Sequence, residues 1–192
     1  MKLIKLITSV TICVTIGNAQ QTPAAQQTKS IAIIGATAHI GNGEVIENSL
    51  ITFNNGIIQN ISEYTGSENF SEMEVINAFE QHIYPGFIAP NSTLGLIEID
   101  AVRATDDEEE VGSWNPHIRS LIAYNAESKV VESMRPNGVL MAQITPRGGR
   151  ISGTSSVVQL DAWNWEDAVV KKDGGIHLNW PSTLSQGRSS IG

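Results

Sequence analysis

From residue 30 onward the apolar positions fall in short runs broken by glycine, asparagine and proline. Ile31, Ala32, Ile33 and Ile34 form the first run, closed by Gly35. Leu50, Ile51, Thr52 and Phe53 form a second, and Ile57, Ile58 and Ile61 a third. Between those two lies Asn54-Asn55-Gly56. Asn-Gly readily adopts the positive φ angles of a two-residue hairpin turn, so this hairpin is the firmest local expectation. Residues 63–74 are polar and read as a loop, after which Val75, Ile76 and Ala78 return as a strand. Together these predict a small all-β, sandwich-like subdomain over residues 30–84, preceded by a flexible lead-in at 20–29 rich in Gln, Thr, Ala and Pro.

Pro85-Gly86 punctuates the chain, and the pattern then changes. Phe87, Ile88 and Ala89 read as a buried strand that should stop at Pro90, which has no N–H to give a ladder. Ile118, Leu121 and Ile122 share a helical face within residues 116–124, with Asn115 placed to cap and Pro116 at the first helical position. A second short helix is expected over 128–134, a strand over 139–144, and a loop at 146–150. Further strands are expected over 156–160 and 176–180, with a helix beginning near Trp163, Trp165 and Glu166. Strand, helix, strand in that order predicts βα units, hence an α/β region over residues 85–192.

Composition adds exclusions. The 192 residues carry a formal net charge of -8, and 41% are hydrophobic against 17% charged, enough apolar surface for a core. An acidic chain without a basic stripe is not drawn to nucleic acid or to anionic lipid. Lys2 and Lys5, an uncharged apolar run over 6–16, and Gly17-Asn18-Ala19 have the order of a secretory signal peptide over residues 1–19. Export to the periplasm or the exterior, with no membrane attachment after leader removal, is the expectation. The one cysteine, Cys13, falls inside that leader, so the mature chain would hold no disulfide and no thiol nucleophile.

The ordered series from the Asn55-Gly56 hairpin through Val75-Ile76-Asn77-Ala78 to Pro85-Gly86-Phe87-Ile88 resembles the opening of amidohydrolase-superfamily hydrolases. There a β-sandwich leads into a (β/α)8 barrel, and the junction reads PG-[FL]-ID-x-H-x-H-x-G. Here it reads PGFIAPNSTLG, from Pro85 to Gly95. Pro136-Asn137-Gly138-Val139 and the loop from Gly148 to Gly153 also resemble later segments, the loop being similar to one in imidazolonepropionase-like exported members. The resemblance implies hydrolysis of a C–N bond in an amide, cyclic amide or peptide-like substrate. It also implies the start of a TIM-type barrel, incomplete here, since residues 85–192 are fewer than half of the roughly 250 a full barrel takes. The chain is thus expected to be an N-terminal portion, inactive alone, that a partner chain or further strands would complete.

The family's two metal-binding histidines would fall at Asn91 and Thr93, whose amide and hydroxyl are poor substitutes for imidazole. No cofactor is therefore expected from this stretch, and a divalent metal (zinc) would be expected only if later strands supplied ligands. The alternative is a non-catalytic ligand-binding or interaction protein derived from that fold, with Asn91, Thr93, Arg150 and Ser152 as the candidate ligand-binding residues. His39, His82, His117 and His177 are never two or four residues apart, so no local pair replaces the missing one, and each reads as a surface or structural histidine. A phosphate cradle at 148–153 lacks the P-loop ending. A serine nucleophile at Ser152, Ser155 or Ser156 with His177 lacks the elbow motif. The acids at 106–110 read as a solvated loop, their adjacency unlike the spaced oxygens of a calcium loop. Trp163, Trp165 and Trp180 read as core more readily than as a sugar platform.

Overall fold

The computed structural model describes residues 23–181. The leader read at 1–19 and the tail at 182–192 lie outside the described residues. Among the described residues there are nine strands, arranged in two sheets, and three short α-helices.

The first sheet comprises β1 (Ser30–His39), β2 (Val45–Asn54), β3 (Ile57–Glu63), β4 (Met73–Asn77) and β5 (His82–Ile83). Its order is β3-β2-β1-β4, with β5 also on β1. The hairpin forms as expected, with Asn55 at φ 50° and Gly56 at φ 72°. β1 is the spine of the sheet: antiparallel to β2, and parallel to β4 along one half and to β5 at its far end. Alternate residues Ala32, Ile34, Ala36 and Ala38 are buried. Ala32, Ile34 and Leu50 form a small core under Tyr64, Phe70 and Met73.

The second sheet is β6 (Phe87–Ser92), β7 (Val139–Ile144), β8 (Ile151–Gln159) and β9 (Val169–Leu178), in that order. Only β6 and β7 run parallel among its described strands; β7–β8 and β8–β9 are antiparallel. The helices are α1 (Ser120–Ala123), α2 (Lys129–Met134) and α3 (Trp165–Ala168). They pack with the β6–β7 connection over a core of Leu96, Leu121, Tyr124, Val131, Ala142, Ile144, Val158, Leu160 and Ala168. Burying each large side chain of this set contributes about 1.5–3 kcal/mol.

This architecture corrects the expected α/β class and the start of a TIM-type (β/α)8 barrel. A βα barrel needs parallel strands separated by crossover helices. Residues 145–150 leave room only for a reversal between β7 and β8, and a parallel return takes a dozen residues or more. The chain is instead a predominantly β molecule of two mixed sheets. The helix expected over 116–124 shrinks to the four residues of α1. Residues 114–119 run beside β8 through the bridges Trp114–Ile151 and Arg119–Thr154, and Asn115 donates from Nδ2 to the carbonyls of Glu110 and Gly112 instead of capping. β6 continues past Pro90 because it is an edge strand with a bulge between Ala89 and Ser92, where a missing N–H costs little. Trp163 and Trp180 are exposed, at 56% and 81%, and only Trp165 packs partly against the core.

Candidate functional site

The β6 bulge decides the geometry of the candidate site. Two residues, Pro90 and Asn91, bulge out between the pairs Ala89–Ala142 and Ser92–Ile144. Asn91 takes φ 49°, a left-handed conformation that asparagine tolerates better than other side chains. Its N–H is turned to Oε1 of Gln143, at 3.3 Å. Its side chain meets Arg147, in the loop between β7 and β8. Nη1 of Arg147 donates to Oδ1 of Asn91 at 2.6 Å and Nη2 to the Asn91 carbonyl at 2.7 Å. This is a two-pronged, charge-assisted clamp.

Arg147 is positioned by its own backbone, whose N–H donates to the carbonyl of Glu108 at 2.7 Å. Gly148 and Gly149 follow at positive φ, turning the chain so that their carbonyls face Asn179 just past β9. Nδ2 of Asn179 lies within hydrogen-bond distance of Gly148 O, Gly149 O and Ser152 Oγ. Ser152 is buried, and its hydroxyl donates to Gly148 O at 2.6 Å. Arg150 donates from Nη1 to Asn179 O at 3.2 Å. Of the four sequence candidates, Asn91, Arg150 and Ser152 thus belong to one connected polar edge through Arg147 and Asn179. Thr93 does not join them: it lines a separate groove of ≈ 220 Å³ with Ser92, Leu94, Glu98 and Asp100.

Two ionisable groups near this edge are shifted. Burial holds the His177 imidazole below its ordinary value of 6.5, and the Arg147 charge adds to the effect. Burial raises the Glu108 carboxyl above its ordinary 4.5, reinforced by Asp106 and partly opposed by Arg147. The edge therefore offers a fixed cation, a histidine biased toward the neutral form, and several amide and hydroxyl groups.

The metal implied by the family resemblance does not fit these residues. The Asn91 amide oxygen is held by a guanidinium, a fixed positive charge beside any cation that would sit there. Among the described residues no three His, Cys, Asp or Glu side chains gather as a metal-holding group. Nor do the serines form a nucleophile–base pair with His177. Ser152 bonds Gly148 and Asn179, Ser155 bonds Gln143 and Gly175, and Ser156 accepts the Asp173 N–H. Arg147, Gln143 and Asn179 escaped the sequence reading. A cation next to a Gly-Gly pair is a legible signal, but its partner lies 56 positions away.

No helix among the described residues is long and apolar enough to cross a membrane. No family model matches the chain, and no curated protein matches it. Among solved structures it is similar to an amidohydrolase from Thermotoga maritima MSB8, with a TM-score of 0.72 and 21% identity. The match covers 79% of this chain and spans 39% of that one. The likeness is one of fold: the chain is built like a part of that amidohydrolase.

Proposed function

We propose that this chain is a non-catalytic ligand-binding protein derived from an amidohydrolase-type fold, recognising a small amide or peptide-like molecule at the Asn91–Arg147 edge. The observation that carries this reading is the Arg147 clamp on Asn91. It puts a guanidinium against the residue that stands where the family pattern has a metal-binding imidazole. A fixed cation favours carbonyl and carboxylate oxygens as ligands and opposes a divalent metal. The leader at 1–19 would make this an exported binding protein.

The test is calorimetry with dipeptides, N-acyl amino acids and cyclic amides, alongside hydrolysis assays of the same compounds with and without Zn²⁺. Binding without turnover, lost in Arg147→Ala, is the expected result. Zinc-dependent turnover would overturn it in favour of a second reading, a C–N hydrolase related to the imidazolonepropionase-like group. The fold likeness is what favours that alternative. It would need metal ligands other than positions 91 and 93, supplied by further strands or by a partner chain.

A further inference from the structure

The two-residue strand β5 lies parallel to the end of β1, with Thr37 opposite His82 and Ala38 opposite Ile83. His39 is two residues beyond Thr37, and Tyr84 two beyond His82, so all three rings project from one face of the sheet. The fold thereby unites two histidines that are 43 positions apart. Nε2 of His39 and Nδ1 of His82 are 3.0 Å from each other. The Tyr84 ring stacks on His39, with centroids 4.3 Å apart and planes 8° from parallel. His82 is exposed and His39 half-buried, so solvent and ions reach the pair.

We propose that His39 and His82 form a two-imidazole site for a borderline divalent cation of the zinc, nickel or copper class. Such a metal binds imidazole nitrogen at about 2.0–2.1 Å. Two bonds of that length hold their nitrogens about 2.9 Å apart at a right angle and about 3.3 Å apart at a tetrahedral one. The observed 3.0 Å falls between these limits. Turning the two nitrogens from facing each other to facing a common point takes a reorientation of roughly 40° at each ring, given bonds of that length. β1 fixes one ring's backbone, and the Tyr84 stack restrains that ring's plane. Whichever ring carries the bridging hydrogen moves it to its own distal nitrogen. The pair then binds through His39 Nε2 and His82 Nδ1, keeps one N–H on each ring, and releases no proton when both start neutral. The remaining coordination positions take water. Imidazole selects against magnesium and calcium, which favour oxygen ligands.

The site is separate from the Asn91–Arg147 edge, so its failure and that of the proposed ligand-binding role are read independently. The test is titration calorimetry of the full chain with Zn²⁺ in a non-coordinating buffer. One zinc per chain is expected, undisturbed by excess Ca²⁺ or Mg²⁺. Removing an outer-shell partner of a metal ligand typically costs about 10–100-fold in affinity. His39→Gln or His82→Gln, which each remove a ligand outright, should weaken binding at least that much. A His117→Gln variant should bind as the parent does. His82→Cys, which keeps a zinc ligand, should retain binding while His82→Gln loses it; a purely structural histidine pair does not predict that contrast. Circular dichroism of each variant separates loss of a ligand from loss of fold. Binding that survives both glutamine variants, or that excess Ca²⁺ competes away, would overturn the assignment, as would the absence of any zinc binding.

Discussion

Tyr124 shows how one residue can be well buried and still carry an unsatisfied polar group. Its ring is buried and seals against Gly95, whose φ is +73° and whose missing Cβ would sit 2.5 Å from a ring carbon. Gly95→Ala is therefore expected to destabilise the fold by about 2–3 kcal/mol, from positive-φ strain plus overpacking, read as a lower denaturant midpoint. The Tyr124 hydroxyl has no hydrogen-bond partner among the described residues, and burial pushes its pKa up to about 12. Tyr124→Phe removes an unsatisfied buried hydroxyl and keeps the ring. It should leave stability unchanged or raise it by about 1 kcal/mol, and it should abolish an ionisation near pH 12 in ultraviolet titration. The shifted groups at the Arg147 edge act with opposite sign. His177 is held below 6.5, so as pH falls through that value the unfolded chain takes up the proton first and stability drops. Glu108 is held above 4.5, so as pH rises past that value the unfolded chain loses its proton first and stability again drops. Denaturant midpoints across this window should lose the first slope in His177→Gln and the second in Glu108→Gln. Arg147→Ala should move the His177 titration upward by nuclear magnetic resonance, since the guanidinium contributes to its depression.

At the scale of elements, the sequence was most readable where local chemistry decides. The Asn55-Gly56 hairpin formed because the turn residues alone fix its backbone. The helix expected at 128–134 forms as α2, with Ser128 Oγ accepting from the N–H groups of Val130 and Val131. Ser128→Ala should cost about 1 kcal/mol, measurable as a shift in melting temperature. Reading failed where a distant partner decides. Nothing local at Asn115 announces that its amide will tie the 110–112 turn, or that residues 116–117 will make a turn between the bridges at Trp114 and Arg119. Pro90 looked like a strand end, but the bulge absorbs it. That bulge is also why Asn91 and Thr93, spaced for the same side of a regular strand, face different surroundings. His39 and His82 were dismissed as a ligand pair from their separation along the chain, which β5's return to β1 makes irrelevant. The exposed Arg119–Asp173 pair is bidentate, at 2.8 and 3.0 Å, yet at 39% and 47% side-chain exposure water screens much of it.

For the whole molecule, family resemblance and fold point in different directions at one place. The fold likeness to an amidohydrolase holds over most of the chain. The expected barrel start does not, since its strands β7, β8 and β9 alternate in direction. Motif resemblance follows a line of residues, whereas strand direction depends on how long the connections are. One feature of the surface bears on behaviour in solution. Phe87 and Ile88 on edge strand β6, with Leu140 on β7, are each more than half exposed. An apolar edge strand templates pairing with other strands. Ile88→Lys is expected to reduce concentration-dependent association in sedimentation experiments while leaving the thermal midpoint within about 0.5 kcal/mol of the parent.

The parallel pairing of β6 with β7 also sets an order of events in time. Its two strands enclose residues 93–138, whereas β2 and β3 are joined by a tight turn. Closing the longer loop costs about 2–3 kcal/mol more in chain entropy, and non-local contacts of this kind form late. The β2–β3 hairpin should therefore be a kinetic template, organised while β6 is still waiting for its neighbour. Pulse-labelled hydrogen exchange during refolding would then protect the amides of β2 and β3 before those of β6 and β7, and simultaneous protection of both sheets would mean that the molecule folds as one unit.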